Sequence, residues 1–212
     1  VRGHPGRLVR GKVGGQALLV LQGRLHYYEG YSPGQVAFPV WVMRGLGVKV
    51  LLVGNAAGGL DPNFRPGDLM AITDHIGLLG KSPLRGLIHH PVDMRGCYSP
   101  RLRALAREVA QDLGIGLPEG VLAFFPGPTY ETPAEVELAR RMGAQAVSMS
   151  TVPEVVVARA LGMEVLGISC ISNLLSPNGR KPLDHGEVLA TVQGAGERFY
   201  RLLTGVIARL QL

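Results

Sequence analysis

The fold is decided by a stretch in which an apolar run passes directly into small residues, VKVLLVGNAAGG at residues 48–59. The run 48–53 is typical of a buried strand, because it is short, apolar and rich in β-branched residues. The segment 54–59 predicts a turn whose backbone N–H groups lie close to a ligand, often an anion. An ordinary tight turn would use the same residues, so this segment alone leaves both interpretations open.

The rest of the chain alternates between the patterns of strands and helices. Short apolar runs predict strands at residues 18–21, 48–53, 69–72, 121–125, 145–149 and 164–171. Apolar residues at helical spacing, bounded by a capping residue or a glycine, predict helices at residues 99–114, 132–143, 152–161 and 186–210. This alternation predicts an α/β fold, a single domain with a central mixed, largely parallel β-sheet flanked by helices.

Residues 75–100 interrupt the alternation. They are rich in glycine, proline and histidine and show little periodicity. A connection of this length inside a compact domain is usually a functional loop or an oligomer contact.

The composition is that of a soluble globular protein. Of the 212 residues 46% are hydrophobic, and no stretch approaches the roughly 18 uninterrupted apolar residues of a membrane span. The two cysteines, Cys97 and Cys170, lack metal-ligand spacing, which suits a reducing cytoplasm, with a single disulfide as the alternative. We therefore expect a soluble, cytoplasmic protein without a metal.

The net charge of +6 raises the question of nucleic acid. The arginines are spread over the whole chain, without a basic run interleaved with aromatic residues. A small anionic substrate accounts for part of the excess equally well, so a nucleic-acid-binding protein is the distant alternative.

Polar residues that follow several predicted strands favour an anion site. Ligands of open α/β sheets bind at the carboxyl ends of strands. Arg24 and His26 share one face of an extended segment and can converge on an oxyanion, although a polar sheet edge would look the same. Ser150 or Thr151 caps a predicted helix, where free N–H groups also attract anions. Together with the N–H groups of residues 55–59, these side chains predict a phosphate site.

A second group of residues lacks this basic character. Tyr130 and Glu131 stand just before a helix cap, and Ser172 and Asn173 end the last predicted strand. An aromatic ring, a carboxylate and an amide that both donates and accepts would suit the edge of a purine. Glu131 has an alternative interpretation, as a charge that the helix dipole stabilises.

The chain resembles the trimeric, low-molecular-mass class of purine nucleoside phosphorylases over nearly its whole length. Five motifs and one asparagine carry the resemblance, in order: His4-Pro5-Gly6-Arg7, Gln22-Gly23-Arg24-Leu25-His26-Tyr27-Tyr28-Glu29-Gly30, Asn55-Ala56-Ala57-Gly58-Gly59, Gly127-Pro128-Thr129-Tyr130-Glu131-Thr132, Ser148-Met149-Ser150-Thr151-Val152-Pro153-Glu154 and Asn173. It implies a homotrimeric enzyme of purine salvage that cleaves nucleosides with inorganic phosphate as co-substrate. The products would be the free base and ribose 1-phosphate, with no metal or organic cofactor.

The resemblance also implies a role for individual residues. Phosphate would be held by Arg24, His26, Ser150, the backbone N–H of Ala56 and, close by, His4. The ribose would be lined by Tyr28 and Met149, with His185 reaching its 5′-hydroxyl. The base would be held by Tyr130, Glu131 and Asn173, in a pocket lined by Val147 and Ser172. Catalysis would depend on Asn173, Glu131 and His26.

Departures from the family pattern refine these expectations. We expect residues 1–212 to be a single phosphorylase domain that lacks the family's N-terminal strand and glycine-rich phosphate turn. The aromatic residue that a neighbouring subunit lends to the site in this family should fall near residues 89–93, and no Phe or Tyr stands there. The sister family, 5′-methylthioadenosine phosphorylase, is the closest enzymatic alternative. It prefers a 6-amino purine and is expected to carry an aspartate where Asn173 stands, and His185 favours a free 5′-hydroxyl over a methylthio group.

Overall fold

The computed structural model describes residues 4–78, 80–175 and 185–211. The described elements, in chain order, are β1 (Arg7–Val13), β2 (Gln16–Gln22), a 3-10 helix (Tyr27–Glu29), α1 (Pro33–Gly45), β3 (Val50–Gly59), β4 (Leu69–Gly77), α2 (Pro100–Asp112), β5 (Glu119–Phe124), α3 (Pro133–Arg141), β6 (Ala146–Ser148), α4 (Val152–Ala160), β7 (Glu164–Leu174) and α5 (His185–Arg209).

Five strands form the central sheet, which closes into a barrel in the order β3-β6-β5-β4-β7. The pairs β3–β7, β4–β5 and β5–β6 are parallel, whereas β3–β6 and β4–β7 are antiparallel. The remaining two strands, β1 and β2, pair only with each other in an antiparallel hairpin. The predicted α/β fold with a mixed, largely parallel sheet is therefore confirmed, and the closure of the sheet is an addition to it.

Helices cover the barrel in two groups. Helices α1 and α4 pack against each other and contribute Val40 and Val155 to one apolar core, which includes Ile72 and Val165 of the sheet. Helices α2 and α5 form the second core with β4 and β7, through residues such as Leu102. Buried apolar surface on both faces of the sheet is what the continuous apolar runs of β3 and β7 require.

The helix starts that the sequence predicts at serine-proline and threonine-proline pairs are confirmed. Ser99 Oγ accepts a hydrogen bond from the backbone N–H of Leu102 at 3.3 Å at the start of α2. Thr132 and Glu135 form a reciprocal capping box at the start of α3. Such caps satisfy N–H groups that the first helical turn leaves without partners.

The predicted glycine turn after the apolar run is wrong. The strand β3 continues through the whole segment and ends only at Gly59. A Cβ atom on Gly58 would lie 2.7 Å from Cδ1 of Leu175, and one on Gly59 would lie 2.9 Å from Cγ2 of Ile171. These glycines therefore permit close packing within a strand, which is another common reason for glycine in a sheet.

The sequence patterns missed two elements. Strand β1 carries Arg7, Arg10 and Lys12 and is almost entirely exposed, so it lacks an apolar face. Helix α1 contains Pro39 in its interior, a residue that normally argues against a helix. Helix α1 packs against α4, whereas β1 pairs with its neighbour β2 across the Gly14-Gly15 turn.

The segment 75–100 begins inside the sheet, because β4 continues to Gly77. Its described remainder consists of turns and irregular backbone up to the start of α2. Within the part of the chain that the structure describes, none of the helices is long and apolar enough to cross a membrane.

Candidate active site

Arg24 lies just beyond β2 and connects this end of the chain to the barrel. Its Nη1 donates to Oγ1 of Thr151 at 3.0 Å and to Oε1 of Glu154 at 3.1 Å, and its Nη2 donates to the carbonyl oxygen of Gly54. A guanidinium has five N–H donors. Three of these are used by the described residues, so Nε–H and one Nη2–H are left for a ligand.

Two histidines lie beside this arginine. Nδ1 of His4 accepts a hydrogen bond from the backbone N–H of Arg24 at 3.0 Å, and the ring centroids of His4 and His26 are 4.9 Å apart. The ring of Tyr28 stacks on the other side of His26, also at 4.9 Å. The structure thus brings together four of the residues assigned to phosphate and ribose.

The protonation state of His26 is set by burial and by Glu29. Burial lowers the pKa of His26 to about 4, although the hydrogen bond to Glu29 acts in the opposite direction. Its Nδ1 lies 3.2 Å from Oε2 of Glu29, and the same oxygen accepts from the His26 backbone N–H at 2.7 Å. A neutral imidazole that donates through Nδ1 presents Nε2 as an acceptor.

A row of hydroxyl groups joins Ala56 to the start of α4. Ser148 Oγ donates to the carbonyl oxygen of Ala56 at 2.9 Å and lies 3.4 Å from Oγ of Ser150. Ser150 Oγ in turn lies 3.4 Å from Oγ1 of Thr151, to which Arg24 donates. Arg24, Ala56 and Ser150, which are far apart in sequence, therefore meet beside residues 54–56 in the interior of β3.

Thr151 has a backbone conformation that is rare for its residue type. Its φ of +81° is in the left-handed half of conformational space, which a β-branched side chain seldom enters. It occupies the position before α4, but its side chain makes no capping hydrogen bond. The predicted capping role of its hydroxyl is therefore wrong, and the hydroxyl accepts from Arg24 in its place. Strained backbone of this kind concentrates at functional sites.

Asn55 is the next residue of β3 after Gly54. Its Oδ1 accepts a hydrogen bond from the hydroxyl of the fully buried Ser169 at 2.8 Å. Its Nδ2 is buried and has no hydrogen-bond partner among the described residues.

Two of the predicted base-binding residues, Val147 and Asn173, lie beside Gly58, which is two residues beyond Ala56 on β3. Gly58 pairs with Val147 of β6 on one side and with Asn173 of β7 on the other. The register between β3 and β7 shifts at this point, because Ala57 pairs with Ile171 and Gly58 with Asn173, which leaves Ser172 as an extra residue. Bulges of this type redirect side chains next to binding sites.

Ser172 orients the amide of Asn173. Its Oγ lies 2.7 Å from Oδ1 of Asn173 and 3.2 Å from the carbonyl oxygen of Ala57. Because the hydroxyl donates to Oδ1 at the shorter distance, the NH₂ group of Asn173 is the part of the amide that is left to donate. Val147, by contrast, is almost fully buried and packs in an apolar cluster with Leu175.

Tyr130 and Glu131 precede helix α3. Burial and the nearby Glu135 raise the pKa of the Glu131 carboxyl. Tyr130 is 39% exposed and is close enough to Tyr28 to contribute to the raised pKa of its phenol, which burial mainly causes. Tyr130 of the predicted base group thus lies near Tyr28 of the predicted ribose group.

Tyr28 and Met149 meet at Gly127. A Cβ atom on Gly127 would lie 2.4 Å from Sδ of Met149 and 3.3 Å from Cδ1 of Tyr28. Both residues assigned to the ribose therefore border the same small space. His185, the third of that group, is the first residue of α5, and its side chain lies outside the described residues.

Sequence reasoning missed two residues that hold Arg24 in place. Glu154 looks like an ordinary acidic residue in the first turn of a helix, where the dipole favours a carboxylate. The neighbouring Pro153 and the predicted anion site were signals that this turn faces a ligand. Nothing in the sequence indicated the unusual backbone of Thr151.

Comparisons with known proteins agree with this architecture. A model of the Phosphorylase superfamily matches residues 1–208, and the chain belongs to this family. It is 50% identical over 216 residues to purine nucleoside phosphorylase 1 of Geobacillus stearothermophilus, which covers 99% of this chain and 78% of the relative. It is 42% identical over 223 residues to the purine nucleoside phosphorylase of Bos taurus, which covers 99% and 77%.

Solved structures show the same similarity. The purine nucleoside phosphorylase of Schistosoma mansoni in complex with inosine superposes with a TM-score of 0.94 at 38% identity, covering 100% of this chain and 79% of that one. A Schistosoma purine nucleoside phosphorylase in complex with guanosine gives a TM-score of 0.92 at 38% identity, with coverages of 97% and 79%. The class of protein is therefore a phosphorylase, and these relatives are purine nucleoside phosphorylases.

Proposed function

We propose that this chain is a pentosyltransferase of purine salvage that catalyses the phosphorolysis of 6-oxopurine nucleosides such as inosine and guanosine. The products are the free base and ribose 1-phosphate. The observation that carries the proposal is the place where two groups of residues from other elements contact β3. Arg24 and Ser148, which lies beside Ser150, contact the strand at Gly54 and Ala56, and the backbone of Asn173 pairs with it at Gly58.

The phosphate is held at the first of these positions. The two remaining N–H groups of Arg24, the Ser150 hydroxyl and the backbone N–H of Ala56 donate to its oxygens. His26 presents Nε2 to the phosphate, with His4 packed against its ring. The nearby anion raises the pKa of His26 above its value in the free protein, because an opposite charge favours the imidazolium.

The nucleoside lies between the phosphate and α3. Tyr28 and Met149 line the ribose, and His185 reaches its 5′-hydroxyl. Glu131 accepts the N1–H of a 6-oxopurine, Tyr130 contacts the ring, and Val147 and Ser172 line the pocket. Asn173 donates its NH₂ group near N7 and O6.

Catalysis follows from the charges that develop during the reaction. Cleavage of the glycosidic bond makes the sugar cationic and the purine anionic. The phosphate dianion stabilises the sugar, and the hydrogen bond from Asn173 stabilises the leaving base. The reaction needs no covalent intermediate, and phosphate is a co-substrate, with no cofactor involved.

We further place this enzyme in the cytoplasm as a homotrimer. Helix α1 and its C-cap residue present Phe38, Val42 and Leu46 on one exposed stripe, with Phe38 61% and Leu46 63% exposed. Exposed apolar residues at helical spacing are typical of subunit contacts. The molecular mass in solution, measured by light scattering, tests this part of the proposal.

The activity is tested by following base release from inosine, adenosine and 5′-methylthioadenosine, each with and without phosphate. We expect hypoxanthine from inosine only when phosphate is present. Faster release of adenine from methylthioadenosine would assign the chain to the sister activity. Release of no base from any substrate, together with salt-sensitive binding of DNA or RNA, would overturn the proposal.

A further inference from the structure

Three potential metal ligands meet beside the barrel, outside the residues assigned to phosphorolysis. Asp74 and His75 lie on β4, and Cys97 lies three residues before α2. An imidazole nitrogen, the thiol sulfur and a carboxylate oxygen of these residues lie within 4.8 Å of one another. The separation of 22 residues between His75 and Cys97 matches no zinc-binding sequence motif, so only the fold reveals the cluster.

The distances suit a small tetrahedral ion. Nδ1 of His75 lies 4.0 Å from Sγ of Cys97. Zinc bonds of about 2.3 Å to sulfur and about 2.0–2.1 Å to nitrogen place two tetrahedral ligands about 3.5 Å apart. Closing the gap requires a movement of about half an ångström, which a side-chain rotation supplies.

The chemistry of the three donors points to the same metal. Thiolate and imidazole ligands select zinc over magnesium or calcium, which prefer oxygen. His75 is partly buried and offers a ring nitrogen to the ion. Cys97 is buried, and its binding as a thiolate requires the metal to displace the thiol proton.

The cluster is anchored and also accessible. The hydroxyl of the fully buried Tyr98 lies 3.2 Å from Nδ1 of His75 and holds the ring. A metal bound to Nδ1 replaces the hydrogen bond to Tyr98, so this nitrogen contacts the metal when the site is filled and Tyr98 when it is not. Asp74 is exposed, which gives an ion a path from solvent, and the buried Cys97 lies at the inner side. The positive charge of Arg159, which also acts on Cys97, partly offsets the two anionic ligands.

We propose that Asp74, His75 and Cys97 form a zinc site with water as the fourth ligand. The ion links β4 to the residues just before α2 and closes the long irregular segment between them. A link of this kind stabilises the folded protein, because the unfolded chain lacks the assembled site.

The test is a titration of the full-length chain, purified with a chelator, with Zn²⁺ alone. We expect one saturable site by isothermal titration calorimetry, with release of a proton. Co²⁺ should produce a thiolate-to-cobalt charge-transfer band in the near ultraviolet. Zinc at about 100 times its Kd should raise Tm by about 5 °C or more.

Two variants remove a ligand in different ways. Cys97→Ser should abolish the cobalt band and weaken zinc binding by at least about 100-fold, since even the loss of an outer hydrogen bond costs about 10–100-fold. Asp74→Asn changes an exposed side chain, so it should weaken binding without affecting the fold. Asp74→Asn provides the test of binding if Cys97→Ser, which changes a buried residue, does not fold.

Matched controls separate this site from adventitious binding. Cys170→Ala removes the other free thiol, and His89→Gln with His90→Gln removes two exposed histidines. Both controls should bind zinc as the wild type does. The proposal is overturned by absence of saturable binding, by a cobalt spectrum without the thiolate band, or by an affinity that Cys97→Ser and Asp74→Asn leave unchanged.

Discussion

The carboxylate of Glu154 accepts a hydrogen bond from the guanidinium of Arg24 at 3.1 Å, and both side chains are largely buried. The other carboxylate oxygen of Glu154 is buried without a partner among the described residues. In the proposed mechanism this pair fixes which N–H groups of Arg24 face the phosphate. Glu154 is therefore a positioning residue, which acts through Arg24.

Removing this contact should impair the use of phosphate. Glu154→Ala removes one of the three hydrogen bonds that hold Arg24 and lets the guanidinium shift, and because a misplacement of 1 Å can cost about 100-fold, we expect kcat/KM for phosphate to fall by up to about that factor. Glu154→Gln keeps an acceptor at the same position and should retain most of the activity. Steady-state kinetics with varied phosphate measure both, and circular dichroism checks folding, because breaking a buried pair is destabilising.

The matched control for these variants is Glu137→Ala, which removes an exposed i,i+4 ion pair with Arg141. It should leave kcat/KM unchanged. A folded Glu154→Ala protein with the wild-type KM for phosphate would contradict the positioning role.

The strained backbone at Thr151 predicts an inverted preference between glycine and alanine. Both substitutions remove the hydroxyl, but only glycine adopts a φ of +81° without strain. Thr151→Gly should therefore be more stable than Thr151→Ala by about 1 kcal/mol in urea unfolding. At Thr191, inside α5, the order should be the reverse by a similar amount. If the alanine variant were more stable than the glycine variant at position 151 as well, Thr151 would not be strained.

Because Ser172 orients the Asn173 amide, we expect substitutions at the two residues to lower kcat by different amounts. Asn173→Ala removes the proposed donor to the leaving base and should lower kcat for inosine by about 10²–10³-fold. Ser172→Ala only frees the amide, so a loss of about 3–10-fold is expected, the value of one neutral hydrogen bond. Asn63→Ala, in an exposed turn, is the control. Near-normal turnover by Asn173→Ala would remove this residue from the mechanism.

The lowered pKa of His26 predicts a loss of stability in mild acid. Between pH 6.5 and about 4 the unfolded chain binds a proton on this imidazole that the folded protein does not bind. The free energy of unfolding therefore falls as the pH drops through this range, by about 1–2 kcal/mol from this group at pH 5.

The pH effect is measured by urea unfolding at pH 7.5 and pH 5 without phosphate. The difference between the two pH values should be smaller in His26→Gln than in the wild type. His89→Gln, at an exposed position, should keep the wild-type difference. An equal loss in His26→Gln and wild type would show that His26 is not buried in its neutral form.

The fold could be predicted largely from local patterns, because its core strands are apolar and its main helices begin at cap-proline pairs. Strand β1 and helix α1 were missed although each carries a local signal, since Gly14-Gly15 forms the hairpin turn to β2 and Ser32-Pro33 begins α1 before its internal Pro39. The glycines of β3 were misread as a turn, because the sequence does not show the side chains of Leu175 and Ile171 that press on them.

For the candidate site, residue types predicted the neighbourhood but not the contacts. Arg24, Ala56 and Ser150 were expected together because each follows a strand, and the structure brings them together. Glu154 could not be assigned to this group from sequence, and Thr151 was named only as a possible helix cap at the anion site, since their contacts with Arg24 span about 130 positions of chain. Their role depends on where α4 begins relative to β3.

Strand β3 is continuous through the site, so it fixes the distance between the two groups of residues that contact it. Ala56, at the proposed phosphate site, and Gly58, beside Asn173, are two residues apart on one extended strand, which sets about 7 Å between them. A flexible turn would let that spacing vary, whereas a strand that pairs with β7 along this stretch holds it. Inserting one residue between them would turn every following side chain to the opposite face of the sheet. The distance between the proposed phosphate and base positions is thus set by the backbone of one strand.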